Sequence, residues 1–486
     1  MRLVIVSNRL PIVVESTEAG PQIRSSSGGL VSALEPVLQQ RGGLWIGWPG
    51  AVNSDDQAVR DLLADHGRRV GFGLQPVQMS REEEEGFYQG FCNEIIWPLF
   101  HDLQTRCNFV PDYWTQYLNV TRKFTNVVLH HAGPDDFLWV QDYHLLGLGH
   151  DLREHGLHNP IGFFLHIPFP PPDIFCKLPW RTDVLDGLLR YDVIGFHTPR
   201  DRENFLDCVR ALRPMVRRVR RPGVVTCEAF NRVTKIGVFP IGIDYAKFAK
   251  TAATESVTTR VKELRTLIPD QQIILGLDRL DYTKGIPYRL RAFHQALKRY
   301  PDLHRKVTLL QVVVPSREAV PEYQDLKAQI ERQVTQINGE FTQPGWVPIH
   351  HVFRSLDWEE MLAYYRAADV GLVTPLKDGM NLVAKEYCAC QVEGNGVLIL
   401  SEFAGAAVQM KRDAVLVNPY DVDHVAEAIH RAALMTPRER RPAMKRLRTA
   451  IRRQDVYRWV EQFLSACGLD DSRRRKPNGR SQPVLA

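Results

Sequence analysis

The 486-residue chain has no long apolar run. Nothing in it approaches the ~18 consecutive apolar residues of a membrane-spanning helix, so no membrane partner is expected. Metal-ligand spacing is missing too: there is no His-x-x-x-His, no array of Cys pairs and no Asp-x-Asp at a strand end. Cysteine is sparse. Only Cys388 and Cys390 of the eight lie close together, which predicts buried free thiols in a reducing compartment rather than a disulfide scaffold. The 33 Gly and 31 Pro follow no period, which removes collagen-like and repeat architectures. Neither charge sign dominates. The net charge is +6, and Arg217-Arg218-Val219-Arg220-Arg221 and Arg473-Arg474-Arg475-Lys476 carry no interleaved aromatics. A nucleic-acid partner is therefore not expected, and these clusters read as solvated surface, as does the acidic run Glu82–Glu85. The first residues, Met1 to Arg9, lack a signal-peptide core and read as a strand, so a cytoplasmic location is expected.

What is present is enough apolar material, at 44% of residues, for more than one core. Short Val/Ile/Leu-rich segments alternate with helix-length amphipathic ones. One series predicts strands at Leu3–Val6, Phe137–Val140, Gly162–His166, Val193–Phe196 and Thr234–Phe239. A second predicts them at Ile273–Leu277, Val307–Val314, Val370–Val373, Val397–Leu400 and Ala414–Val417. This pattern predicts two α/β, Rossmann-like domains of similar size, facing each other across a cleft. The expected divisions are 1–240, 241–452, a helix at 453–466 packing back on the first domain, and a disordered tail at 467–486. Pro240-Ile-Gly-Ile-Asp244 reads as the hinge. Ligands of open parallel sheets bind outside the carboxyl ends of the strands, so functional residues are sought there.

The unusual residues do follow strands. Ser7-Asn8-Arg9 ends the first. Ser27-Gly28-Gly29 opens a helix, where free backbone N–H groups can meet a phosphate, although an ordinary turn reads equally well. Asp142 with His144, and His166, follow two further strands. In the second series Arg279 and Lys284, five apart on one loop, suit a diphosphate, because Arg forks onto phosphate oxygens and Lys adds a point charge. A surface ion-pair cluster with Asp278 and Asp281 is the competing reading. Arg317 also follows a strand. Asp378-Gly379 turns into a helix beginning near Leu382, within two turns of Glu386, a carboxylate able to accept from a ribose diol.

These residues stand in motifs that resemble a known family. Ser7-Asn-Arg-Leu-Pro, Ser27-Gly-Gly-Leu, Gly43-Leu-Trp-Ile-Gly-Trp48, Asp142-Tyr-His-Leu-Leu and His166-Ile-Pro-Phe-Pro occur in order. Arg279-Leu-Asp-Tyr-Thr-Lys-Gly, Asp378-Gly-Met-Asn-Leu-Val-Ala-Lys-Glu-Tyr and Ser401-Glu-Phe-Ala-Gly-Ala-Ala follow. From Arg2 to about Leu464 the chain resembles the trehalose-6-phosphate synthases, retaining glycosyltransferases of family twenty with the GT-B fold.

The resemblance implies transfer of glucose from UDP-glucose, or another nucleoside diphosphate glucose, to C1 of glucose 6-phosphate. It implies no metal and no cofactor, a role in trehalose biosynthesis and osmoprotection, and a homodimer or homotetramer. Gly28, Gly29, Arg279, Lys284 and the Leu382, Val383, Ala384, Lys385, Glu386 helix start would hold the donor. Leu356, where the family commonly carries Phe, would meet the base. His166 and Asp378 would contact the transferred glucose. Arg9, Tyr88 and Arg317 would bind the 6-phosphate, and Trp48, Trp97 and Asp142 would line the acceptor pocket; both tryptophans could equally be core. Asp142, His166, Arg279, Lys284 and Asp378 form the implied catalytic set, acting through front-face attack. Glucosylglycerol-phosphate synthases, pseudo-glycosyltransferases and a non-catalytic regulatory or sugar-phosphate-binding homologue are the rival readings.

Overall fold

The computed structural model describes residues 2–17, 20–25, 29–50, 57–221, 224–316 and 321–469. Its strands are β1 (Leu3–Arg9), β2 (Ile12–Thr17), β3 (Gly20–Ser25), β4 (Leu44–Trp48), β5 (Gly73–Pro76), β6 (Phe137–Gln141), β7 (Ile161–Phe164), β8 (Val193–Phe196), β9 (Arg217–Arg221), β10 (Val224–Ala229) and β11 (Arg232–Val238). The second half adds β12 (Gln272–Arg279), β13 (Val307–Val314), β14 (Ile349–Phe353), β15 (Val370–Val373), β16 (Val397–Ser401) and β17 (Val415–Val417).

Two sheets carry the architecture. The first has nine strands in the order β5-β4-β1-β6-β7-β8-β11-β10-β9, and the second has six in the order β14-β13-β12-β15-β16-β17; β2 and β3 form a separate hairpin. The second sheet is parallel throughout, and so is the first apart from β9 and β10. Parallel neighbours need long crossovers, which the intervening helices supply, and helices on both faces explain why Val4, Ile5 and Val6 are all fully buried. The sheets are less equal than the sequence pattern suggested. The first is enlarged by β4 and β5 on one side and by the antiparallel β9–β10 pair on the other. The basic stretch Arg217–Arg221, expected as plain surface, is the edge strand itself, where like charges discourage pairing with another chain.

Along its parallel strands each sheet reverses its strand order once. In the first the reversal falls between β1 and β6, and in the second between β12 and β15. The carboxyl ends at these two points carry Arg9 and Asp142, and Arg279 and Thr374.

The chain crosses between halves twice, at Phe239–Asp244 and Gln454–Val456, and the crossings touch. A Cβ on Gly242 would stand 2.4 Å from the Gln454 carbonyl oxygen, and the Val456 N–H donates to the Ile243 carbonyl at 3.1 Å. Beyond the return crossing, the helix Val456–Ala466 buries Trp459 and Phe463 against the first sheet. The Phe463 ring stacks on Trp139 at 4.7 Å, and Trp459 meets Phe164 edge-on at 5.0 Å.

Candidate active site

The first wall of the cleft is built around the end of β1. The Ser7 hydroxyl donates to the Arg9 carbonyl at 2.6 Å and accepts from the Trp45 indole N–H at 2.7 Å. This fixes the turn that presents Arg9. The Arg9 guanidinium lies 4.5 Å from the Trp48 ring centroid and 5.2 Å from that of Tyr88. The aromatics continue inward: Tyr88 stacks on His144 at 5.9 Å, His144 meets Tyr143 at 3.9 Å, Tyr143 meets Trp97 at 5.6 Å, and Trp97 meets His101 at 4.4 Å. Tyr88 stands on a wide π-type helix, Glu84–Ile96, and the same helix supplies Asn93, which accepts from the Tyr143 hydroxyl at 2.9 Å. Trp48 and Trp97 are both buried, so each serves the core and the wall together. Glu84, expected as surface, is half-buried within electrostatic reach of Arg9.

Asp142 follows β6 with φ 71°, a left-handed conformation that non-glycine residues rarely hold. Its carboxylate accepts from the backbone N–H of Tyr143 at 2.9 Å and of His166 at 3.1 Å. Burial pushes it up to about 6, against the pull of those two N–H groups and of Arg279 across the cleft. His166 Nε2 sits 2.9 Å from Gln141 Oε1, and burial lowers the imidazole to about 3, so it is neutral at physiological pH.

The second wall begins at Arg279, exposed at the end of β12. Five residues on, Lys284 Nζ donates to Asp378 Oδ2 at 2.5 Å, and Asn381 Nδ2 donates to the same oxygen at 3.1 Å. Burial raises Asp378, but Lys284 beside it, with His101 and Asn381, outweighs burial and holds it below its ordinary value. Asn381, at φ 67°, caps the helix Leu382–Cys390 by accepting from the Ala384 N–H. Glu386 accepts from the Tyr365 hydroxyl at 2.8 Å, and burial pushes it up to about 7. Leu356 lies half-buried between β14 and the helix Trp358–Ala367.

Beneath this wall is a buried ionic network. Arg289, on the helix Ile286–Arg299, donates to Asp278 at 2.6 Å, Gln311 at 3.3 Å, Thr374 Oγ1 at 3.0 Å and the Lys284 carbonyl at 3.5 Å. One side chain thus joins the ends of β12 and β15 to the loop that presents Lys284.

The walls meet. The ideal Cβ of Gly29, which opens the helix Gly29–Arg41, would stand 2.7 Å from Leu382 Cδ1. That of Gly379 would stand 2.0 Å from the His166 carbonyl oxygen. Lys377 donates to Asp102 at 2.6 Å, and the Arg106 guanidinium lies 4.9 Å from the Tyr282 ring. Arg9, Trp48, Tyr88, Trp97, Asp142 and His166 therefore form one side of a cleft, with Arg279, Lys284, Asp378, Leu382 and Glu386 on the other. Gly28 and Arg317 lie outside the described residues. The Lys385 side chain leaves the cleft and runs to the Ile241 carbonyl.

The family model for glycosyltransferase family 20 matches residues 1–468. The chain belongs to glycosyltransferase family 20. A family member from Mycolicibacterium vanbaalenii, a trehalose-6-phosphate synthase, is 41% identical over 471 residues, covering 95% of each chain. Among solved structures, an E. coli chain bound with UDP-2-fluoro glucose is similar with a TM-score of 0.85 and 36% identity over 96% of this chain and 99% of that one. An alpha,alpha-trehalose-phosphate synthase (UDP-forming) from Burkholderia xenovorans, in complex with glucose-6-phosphate, has a TM-score of 0.87 and 32% identity over 96% and 100%. The two facing Rossmann-like domains are thus the GT-B architecture of family 20.

Sequence reasoning missed several residues of this family 20 cleft. Gln141 and Thr374 sit at strand ends, so the same rule that found Asp142 would have found them. His101 had no local signal: it reaches Asp378 and Lys284 only because the domains close, and burial lowers it to about 4. Among the described residues no group of three or more His, Cys, Asp or Glu could hold a metal, and no helix is long and apolar enough to cross a membrane.

Proposed function

We propose that this chain transfers glucose from UDP-glucose to C1 of glucose 6-phosphate with retention, giving α,α-trehalose 6-phosphate and UDP. The observation that carries the reading is the pairing of two cationic sites across one cleft. Arg9 lies over Trp48 and Tyr88 on one side, and Arg279 and Lys284 stand on the other, with Arg279 in electrostatic reach of Asp142. A phosphorylated acceptor and a diphosphate donor each need such a site, and the two sites must share a cleft for their sugars to meet.

In this reading residues 1–240 bind the acceptor and 241–452 the nucleotide sugar. Arg9 and Tyr88, joined by Arg317, take the 6-phosphate. Trp48, Trp97 and Asp142 line the hexose pocket. Arg279 and Lys284 neutralise the diphosphate together with backbone N–H groups from Leu382 onward, and Gly28 and Gly29 contact the donor. Glu386 accepts from the ribose, and Leu356 meets the base. His166, neutral, and Asp378 contact the transferred glucose.

Asp142 and Asp378 are both engaged by hydrogen bonds, which disfavours either as a nucleophile. The proposed step is therefore front-face substitution. The bond from glucose C1 to the phosphate oxygen breaks, the bond from C1 to the acceptor O1 forms on the same face, and the acceptor proton passes to the leaving phosphate oxygen. The domains contribute proximity and fixed positive charge. Since side-chain cations meet the diphosphate, a chelator is expected to leave turnover unchanged. A homodimer or homotetramer in the cytoplasm is the setting this reading carries.

The test is product analysis by NMR after incubation with glucose 6-phosphate and UDP-, ADP- or GDP-glucose in turn. An α,α-linked disaccharide phosphate formed fastest with UDP-glucose is expected. Transfer to glycerol 3-phosphate instead, or no transfer at all, overturns the reading.

A further inference from the structure

The helix Leu382–Cys390 faces two ways. Its first turn meets the cleft, with Leu382 against Gly29. Its fourth residue, Lys385, is 1% exposed and donates to the Ile241 carbonyl at 2.6 Å. Ile241 lies in the outgoing crossing between the domains. Its own N–H donates to His197 Nδ1 at 3.4 Å, and His197 directly follows β8 of the first sheet. One peptide of the crossing is therefore gripped by the first domain on its N–H and by the helix at the cleft on its carbonyl.

The crossing has little freedom elsewhere. Gly242 sits tight on Gln454 and Asp455, the Val456 N–H holds the Ile243 carbonyl, and the Tyr457 hydroxyl donates to Asp244 at 2.9 Å. Any swing of one domain against the other must turn about these two crossings. Lys385 is tied to that axis.

A lysine is a costly way to fill a buried site, because its ammonium loses hydration. Desolvation pushes Lys385 down to about 7, and no carboxylate offsets it among the described residues. A methionine would fill the space without that loss, so the hydrogen bond to Ile241 is what distinguishes lysine here. Either protonation state of the amine can donate it.

We propose that Lys385 is a positioning residue that ties the donor-side helix to the pivot between domains, so that closing the cleft and seating the donor's diphosphate are one movement. The inference rests on the transferase reading above. Backbone N–H groups at the start of this helix must reach the diphosphate to within a fraction of an ångström to act on it. Tethering the helix to the axis makes that final approach part of the swing.

The test compares Lys385→Met, which keeps the stem and removes the donor, with Lys385→Gln, which keeps a shorter neutral donor. In Lys385→Met, kcat/KM for UDP-glucose is expected to fall roughly ten- to a hundredfold, the range for losing a hydrogen bond from a charged group. The affinity for glucose 6-phosphate, measured by calorimetry without donor, is expected to stay at the wild-type value, and Lys385→Gln should fall between the two. A lowered Tm with unchanged kinetic constants would mean a merely structural role and overturns the proposal. A second measurement needs no variant: hydrogen exchange of the Phe239–Asp244 segment in the wild-type protein, with and without UDP. Slower exchange on UDP binding supports the coupling, and unchanged exchange with UDP bound overturns it. This readout does not depend on turnover, so it stays informative if the wild-type protein forms no disaccharide phosphate and the transferase reading fails.

Discussion

Gly379 packs on His166 across the cleft so closely that a Cβ would stand 2.0 Å from the His166 carbonyl oxygen and 3.1 Å from Ile167 Cα. Both obstacles are backbone, so neither can rotate away. Gly379→Ala must therefore push the domains apart. A displacement near 1 Å is expected to lower kcat/KM by about a hundredfold, while the far-UV circular dichroism of each folded domain persists. Wild-type turnover in this variant would show that the closed seam is not needed.

The Lys284–Asp378 pair predicts an asymmetric mutant cycle. Its side chains are 12% and 14% exposed. Lys284→Met leaves the carboxylate without its cation and is expected to cost about 3 kcal/mol in urea unfolding. Adding Asp378→Asn should restore most of that stability. Turnover should stay low in both, because the cation proposed to meet the diphosphate is gone.

Arg289 predicts an effect at a distance. Arg289→Lys keeps a charge for Asp278 but loses the planar fork that also reaches Thr374 and the Lys284 carbonyl. The expected result is a stability loss of about 1–2 kcal/mol and a fall in kcat larger than the change in glucose 6-phosphate affinity. Calorimetric unfolding and steady-state kinetics check the two parts.

Glu386 predicts a pH dependence. Burial raises it from 4.5 to about 7, with the Tyr365 hydroxyl pulling the other way. Its raised value stabilises the fold fully below 4.5, and that contribution is lost as pH rises through about 7. Ribose hydroxyls donate best to the ionised form, so UDP affinity should climb through the same range. Tyr365→Phe removes the lowering influence and should move the midpoint upward. Calorimetric titration of UDP between about pH 6 and 8 tests both signs.

The two sheets were readable because parallel strands with helices on both faces are apolar throughout, as at Leu3–Val6 and Val307–Val314. The unequal sizes were not. The Leu44–Trp48 strand looked like a motif rather than a strand, and the Arg217–Arg221 edge looked like charged surface, since edge strands need no apolar alternation. Lys385 shows the limit within one motif. It adjoins Glu386 in the chain, yet residues adjacent on a helix point about 100° apart, so one heads for the hinge while the next stays near the cleft.

Position along the chain was enough to place Arg9, Asp142 and Arg279 at strand ends, because a residue just past a strand is delivered there by the backbone alone. It was also enough for the order of the family's motifs. Who faces whom arose from folding: Arg279 opposite Asp142, Gly379 against His166, Lys385 on Ile241, and His101 beside the Lys284–Asp378 pair. Those partners all stand more than a hundred residues apart, and their meeting depends on the angle at which two independently wound sheets close. That angle is set by steric contacts at Gly29, Gly242 and Gly379; the sequence marks them as a helix start, a hinge and a turn, but what each packs against exists only once the opposing surface is in place.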